Sequence, residues 1–309
     1  MPIRIKNAQN NQAMNHFHLN PRDYPGQDVY GVLGNPVAHS LSPKIHAMFA
    51  QQTNQNIHYG KLSCDFSDFQ STVETFFSSG GRGLNITIPF KSEAYVLCEH
   101  LTPRAKAAGV INILWQEEGH YWGDNSDGFG LVRDLLNSGV QLEGSEILVL
   151  GAGGAVQGVI LPLLERLPTR IYIANRSLDR AQVLLERFTD QAKNYQVQLQ
   201  VISLEDLEQL TTPIDIVING TSTGLLNTSV ITDEIAQKLT LLNSTKPQFA
   251  YDMVYGKQTT FLKQFTQLGF QTQDGLGMLV EQAAVSFELW RALPASSLDT
   301  QLVKTALRT

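Results

Sequence analysis

Residues 147–155 read Ile-Leu-Val-Leu-Gly-Ala-Gly-Gly-Ala, an apolar run that breaks into glycines before a helical pattern takes over. A loop of this kind can hold the phosphates of a dinucleotide. Glycines let the backbone turn tightly and approach a pyrophosphate, and the following helix offers unpaired N–H groups and a positive dipole end. Gly151, Ala152, Gly153, Gly154 and Ala155 are the candidate contacts. Val156 stands where a G-x-G-x-x-G loop has its third glycine, and a tight turn without ligand is the competing reading. The next strand, Ile171–Ala174, runs into Asn175-Arg176-Ser177, with Arg180 one turn later. An enzyme using NAD places a carboxylate about 20 residues on, against the ribose 2′-hydroxyl. None stands at this strand end. Arg176 can instead pair with a 2′-phosphate, which points to NADP. The alternative is a solvated arginine beside Ser177 as a helix cap.

A second set of polar residues precedes this loop. Ser40 and Ser42 follow the strand Val29–Leu33 and stand just before a helix, where two hydroxyls can receive a carboxylate. Ser42 equally suits an N-cap, with Pro43 in the first turn. Asn85, Thr87 and Lys91 gather around the end of the strand that begins at Gly83, where α/β proteins place their sites. Asn112 and Asp127 follow, in the segments 108–112 and 123–128. Taken singly, Lys91 reads as a solvated charge and Asp127 as a helix cap. His39 and His46 invite an acid–base reading, but His39 fits loop shaping and His46, inside a helix, fits packing.

The elements that must position these residues show an α/β pattern. With 309 residues the chain exceeds one typical core, so two domains, or one large α/β unit, are expected. At 42% hydrophobic and 17% charged it is a globular chain and not a disordered one. Net charge is -6 and no Lys/Arg-rich run occurs, which argues against nucleic acid. Cys64 and Cys98 have neither CxxC nor metal-ligand spacing, so reduced thiols and no metal are expected. No apolar run approaches the ~18 residues of a membrane span, and the N-terminus lacks the order of a signal peptide; a cytoplasmic location follows as an expectation. Phe69, Val73, Phe76 and Phe77 form one helical face, closed by Gly80-Gly81. Thr102-Pro103 repeats the cap-then-proline signal, and Ile111–Trp115 with His120–Trp122 reads as a hairpin. From Glu146, buried-strand candidates Ile147–Leu150, Ile171–Ala174, Ile214–Ile218 and Phe249–Met253 alternate with helix-length segments, which predicts a parallel sheet. Helices are expected at Gly277–Trp290 and Ser297–Leu307, the last able to fold back on the first domain.

In order, the segments Gly34-Asn-Pro-Val-Ala-His-Ser-Leu-Ser-Pro43, Asn85-Ile-Thr-Ile-Pro-Phe-Lys91, Ala108-Gly-Val-Ile-Asn112, Asp124-Asn-Ser-Asp-Gly128, Gly151-Ala-Gly-Gly-Ala155, Asn175-Arg-Ser177, Tyr251-Asp-Met-Val-Tyr255 and Gly277-Met-Leu-Val-Glu-Gln-Ala-Ala284 resemble the shikimate dehydrogenase family. The resemblance covers nearly all of residues 29–293. It implies an N-terminal α/β substrate domain plus a Rossmann-type, doubly wound NADP-binding domain. The expected limits are 29–126 plus 276–309 for the first and 127–275 for the second, after a flexible extension over 1–28. It also implies reversible reduction of 3-dehydroshikimate to shikimate with NADPH, in aromatic amino-acid biosynthesis. Ser40 and Ser42 would then bind the substrate carboxylate. Thr87, Asn112 and Gln282 would bind or support ring hydroxyls, and Lys91 and Asp127 would flank the reacting oxygen. Tyr255 would line the pocket, Met253 and Gly275 would lie near the nicotinamide, and Thr221 near the cofactor. Ser126 replaces the family's usual threonine and keeps the hydroxyl, while Gly256-Lys-Gln-Thr-Thr260 lacks a proline often found there.

Lysine suits proton delivery to a developing alkoxide, and Asp127 suits orienting it. Two rivals remain open at this level: a quinate/shikimate dehydrogenase of broader specificity, with NAD or NADP, and a non-catalytic NADP-binding regulator; a reductase acting through a cysteine thioester is set aside, since neither Cys64 nor Cys98 sits in a motif. The partners expected are a small-molecule substrate and NADP, with the chain a monomer or homodimer.

Overall fold

A computed structural model describes residues 17–223, 228–242, 246–294 and 296–309. In chain order the strands are β1 (Asp28–Leu33), β2 (Ile57–Leu62), β3 (Gly81–Ile86), β4 (His100–Leu101), β5 (Ile113–Glu117), β6 (His120–Asp124), β7 (Glu146–Leu150), β8 (Arg170–Asn175), β9 (Gln198–Ser203), β10 (Ile216–Asn219), β11 (Phe249–Asp252) and β12 (Gln271–Asp274). The helices are α1 (Ser42–Thr53), α2 (Phe69–Ser78), α3 (Lys91–Leu97), α4 (Pro103–Ala108), α5 (Asp127–Asn137), α6 (Gly154–Leu164), α7 (Leu178–Asn194), α8 (Asp233–Leu241), α9 (Thr260–Gln267), α10 (Leu276–Trp290) and α11 (Thr300–Arg308). None is long and apolar enough to cross a membrane among the described residues.

The strands form two six-stranded sheets. The second runs β12-β11-β10-β7-β8-β9, with every neighbouring pair parallel. This is the doubly wound order of dinucleotide-binding sheets, whose strand sequence reverses between β7 and β10. Ile147, Leu148, Val149 and Leu150 have no exposed surface, as expected of a central strand covered by helices on both faces. The edge strands β9 and β12 are polar, reading Gln-Leu-Gln-Val-Ile-Ser and Gln-Thr-Gln-Asp, and so gave no apolar run to find.

The first sheet is mixed, in the order β2-β1-β3-β5-β6-β4. β1, β2 and β3 are parallel, and β3, β5 and β6 pair antiparallel, which confirms the expected hairpin. Strand β3 stops at Ile86, and the chain then turns through Ile88-Pro89-Phe90 into α3. The face Phe69, Val73, Phe76 and Phe77 of α2 is buried in this core.

Residues 17–28 differ from the expected flexible extension. Phe17 exchanges two hydrogen bonds with Ser63, its N–H to Oγ at 2.8 Å and its carbonyl from the Ser63 N–H at 3.0 Å. Leu19 is buried over Gly31 and Gly60, which face one another across β1 and β2. A Cβ on Gly31 would come to 2.8 Å from a Leu19 methyl, and one on Gly60 to 2.6 Å. The two glycines form a notch that Leu19 fills. Residues 1–16, the rest of that expected extension, lie outside the described residues.

Candidate active site

Past the carboxyl end of β3, Lys91 meets the start of α6. A Cβ built on Gly154 would lie 3.6 Å from Lys91 Cδ, so the glycine loop and the lysine meet directly. Lys91 is the first residue of α3 and Asp127 the first of α5. Their side chains pair at 2.5 Å, with 12% and 8% of their surface exposed. A pair this sheltered is little screened by solvent, unlike a surface lysine with a passing counter-ion. The cap reading of Asp127 does not hold, since its carboxylate turns away from the helix to Lys91 and Asn112.

Asn112 organises the floor. Its Nδ2 lies 2.9 Å from Asp127 Oδ1 and 3.1 Å from both Ser126 Oγ and Gln282 Oε1, while its Oδ1 accepts the Ser126 N–H at 2.9 Å. Gln282 donates its own Nε2 to the Leu279 carbonyl at 2.8 Å, so this mid-helix glutamine points inward and not to water. Ser126 keeps the hydroxyl role of a threonine, reaching the Gln282 carbonyl at 3.1 Å. The start of α5 and the middle of α10 thus converge on one amide.

Ser42 is the first residue of α1 and not its cap. Leu41 holds the cap position, and the Ser42 N–H is taken by Ser40 Oγ at 3.3 Å. The two hydroxyls lie 3.2 Å apart. Tyr255, carried by the segment after β11, crosses from the second sheet to this pair. Burial pushes its phenol upward, opposed by hydrogen bonds from the Leu41 backbone and the Ser40 side chain. Thr87 follows β3, half-buried against Gly34. Asn85, left without a role above, is buried and bonded to Tyr59, Asn112 and Ser286. Tyr59 escaped sequence reasoning altogether, because a tyrosine in a strand carries no local sign of what it will touch.

On the opposite wall, Gly151 has φ +109, a conformation that favours glycine. It lies against Gly220 and Thr221 after β10, at the strand-order reversal. Thr221 donates its N–H and hydroxyl to Asn219 Oδ1 at 3.1 and 2.7 Å. A Cβ on Gly153 would meet nothing within 4 Å, which leaves the backbone bare to the cleft before α6. Ala152 and Ala155 lie in the same turn. At the end of β8, Asn175 Nδ2 bonds the Ser177 carbonyl at 2.8 Å, and Arg176 and Arg180 project into solvent. Ser177 occupies the cap position of α7 but makes no capping bond. The Met253 backbone lies beside Gly275, and its sulfur approaches the Gly220 turn. The bare glycine turn, the free start of α6 and an exposed arginine at a strand end without carboxylate fit a dinucleotide bearing a 2′-phosphate.

His46 packs as expected. It has no exposed surface, stacks on Tyr59 at 4.0 Å between centroids, and burial pushes its imidazole down to about 3. Burial also pushes the Cys98 thiol up to about 12 and raises Cys64, so both favour the protonated form.

Fold and cleft together define a two-sheet, dinucleotide-dependent oxidoreductase with a lysine–aspartate pair facing its glycine loop. Family models for the shikimate dehydrogenase substrate binding domain, shikimate/quinate 5-dehydrogenase and the shikimate 5′-dehydrogenase C-terminal domain match residues 32–114, 133–255 and 275–308. A shikimate dehydrogenase (NADP(+)) from Cupriavidus taiwanensis is 47% identical over 270 residues, 86% of this chain and 89% of that one. The crystal structure of an Ael1 enzyme from Pseudomonas putida superposes with a TM-score of 0.79 at 37% identity, covering 91% and 98% of the two chains. Shikimate 5-dehydrogenase from Thermus thermophilus, solved in complex with NADP(H) and shikimate, gives a TM-score of 0.77 at 30% identity over 91% and 99%. The chain belongs to the shikimate dehydrogenase family.

Proposed function

We propose that this protein reduces 3-dehydroshikimate to shikimate with NADPH, reversibly, using Lys91 as proton donor and acceptor. The observation that carries this reading is the sheltered Lys91–Asp127 pair set against the glycine loop. When bound, NADPH supplies the hydride. Gly151, Ala152, Gly153, Gly154 and Ala155 would hold its pyrophosphate, with Asn175, Arg176, Ser177 and Arg180 at the 2′-phosphate, Met253 and Gly275 toward the nicotinamide, and Thr221 near the cofactor. Ser40 and Ser42 receive the substrate carboxylate beneath Tyr255. Thr87, Asn112 and Gln282 face the ring hydroxyls or brace the groups that do. Lys91 passes a proton from Nζ to the developing alkoxide and takes it back in the reverse direction. Asp127, fixed by Asn112 on one oxygen, holds Lys91 with the other.

The proposed units are residues 29–126 with 276–309 on the substrate side and 127–275 on the cofactor side, residues 17–28 packing with the first. One chain supplies every residue named here, so either a monomer or a homodimer would contain whole sites. The test is absorbance at 340 nm with the purified protein, shikimate or quinate, and NADP or NAD. Preferential turnover of shikimate with NADP is expected. Comparable rates with quinate and NAD would move the assignment to a dehydrogenase of broader specificity, and NADPH binding without turnover of any pair would make the chain a regulator.

A further inference from the structure

Asp127 and Asp134 stand seven residues apart on α5, so they share one face of the helix, about 10 Å apart along its axis. Asp127 holds Lys91. Asp134 is buried, and its Oδ2 accepts the Tyr251 O–H of β11 at 2.8 Å and the Gln273 Nε2–H of β12 at 2.6 Å. Both donors are themselves fixed. The Tyr251 oxygen accepts the Met278 N–H of α10 at 3.3 Å, and Gln273 Oε1 accepts the Ser138 hydroxyl, at the end of α5, at 2.6 Å. The second carboxylate oxygen, Oδ1, pairs with Lys304 of α11 at 3.4 Å. It also fills the place of a side chain on α10, since a Cβ on Gly277 would lie 1.8 Å from it. One carboxylate thus joins α5 to two strands and two helices. Met253 follows Tyr251 by two positions, and Gly275 follows Gln273 by two. The glycine turn after β7 and the Ser40–Ser42 pair before α1 hang on other elements.

We propose that Asp134 is a positioning residue for hydride transfer, tying α5 to β11 and β12 so that the Lys91–Asp127 pair and the nicotinamide-side residues Met253 and Gly275 keep one fixed separation. This rests on the functional reading above, in which Lys91 serves the reacting oxygen and Met253 and Gly275 lie toward the nicotinamide. Proton and hydride must reach the two atoms of one carbonyl, yet Lys91 follows a strand of the first sheet while Met253 and Gly275 follow strands of the second. Helix α5 is the strut between them. Removing the carboxylate leaves the Tyr251 O–H and the Gln273 amide without their acceptor, and α5 is then free to shift against β11 and β12. A displacement of about 1 Å at the reacting atoms can cost 100-fold in rate. The groups that receive the substrate carboxylate and the pyrophosphate keep their own supports, so binding survives.

The experiment is single-turnover kinetics on the full-length wild type, Asp134→Ala and Asp134→Asn, with protein saturated with NADP and in excess of shikimate, followed at 340 nm. Steady-state KM values are measured alongside. A smaller folded fraction lowers the amplitude of such a trace, whereas misplaced reacting groups lower its rate constant. For Asp134→Ala the rate constant should fall about 10- to 100-fold, with the KM for shikimate and for NADP each within about threefold of wild type. Asp134→Asn should recover most of the loss, because its amide oxygen can accept from both Tyr251 and Gln273. An unchanged rate constant, a rise in both KM values as large as the fall in rate, or an Asn variant no better than Ala would overturn the proposal. Should Asp134→Ala not fold, Tyr251→Phe and Gln273→Leu each remove one donor and leave the carboxylate paired with Lys304. Each must then lower the rate constant about 3- to 10-fold, and normal rate constants in both would overturn the proposal. Turnover by wild type and its loss in Lys91→Ala test the functional reading separately. They can hold while Asp134→Ala is neutral, whereas no turnover by wild type overturns both.

Discussion

The two walls of the cleft are built by different means. The cofactor wall is mostly backbone: a glycine turn, the start of a helix and two strand ends at the reversal of a parallel sheet. The substrate wall is mostly side chain: Lys91, Asn112, Asp127 and Gln282 arrive from four segments and meet through hydrogen bonds of 2.5 to 3.1 Å. A wall made of backbone tolerates changes of side chain but not of conformation. A wall made of converging side chains fails when one group is removed, because the others lose their partner.

The sharpest way to separate the walls is Lys91→Ala. Positioned acid–base groups contribute ~10²–10⁴-fold, so kcat should fall by that range while NADPH affinity, measured by fluorescence titration, stays close to wild type. Near-normal kcat would remove the proton-transfer role and blur the distinction. Arg176→Ala should give the opposite pattern. Loss of a charge-assisted contact to the 2′-phosphate should narrow the preference for NADP over NAD about 10- to 100-fold, leaving the KM for shikimate unchanged. A retained preference would show that Arg180 or the turn itself does the discriminating.

A separate test lies behind the substrate wall, at His46. Its imidazole titrates at about 3 in the folded chain against 6.5 when unfolded. Between those values the unfolded chain binds a proton that the folded chain does not. Stability is therefore lost as pH falls from about 6.5 toward 3, with a slope near 1.4 kcal/mol per pH unit for one proton. Urea midpoints at pH 7.5 and 4.5 should converge more closely in His46→Leu than in wild type. An unchanged acid slope would mean that another group, such as the carboxyl of Asp28, which its hydrogen bond with Arg291 holds low, governs the acid limb.

The same contrast explains what could be read from the residues alone. The strand–glycine–helix order at 147–155 is local, so it was legible, as were Arg176 and the alternation that predicts the parallel sheet. Buried β7 showed itself as an apolar run, while β9 and β12 did not, being polar edges. On the substrate wall, Asn112 and Gln282 are 170 positions apart, and no spacing rule joins them. Only the resemblance to a family brought them together. Ser42 could be read as a helix cap because type and position allowed it; the structure puts Leu41 at the cap and gives the Ser42 N–H to Ser40 Oγ. Tyr59 escaped because the residue it touches, Asn85, lies 26 positions away.

The seating of Leu19 constrains the order of events on the ribosome. Its notch exists only once β1 and β2 lie side by side, and the bonds that hold Phe17 run to Ser63, 46 residues later. A chain made from its N-terminus therefore exposes this leucine until the second strand has emerged and docked. The earliest described residues to be synthesised are thus among the later ones to find their place, closing the face of the first sheet after the strands beneath them are laid down.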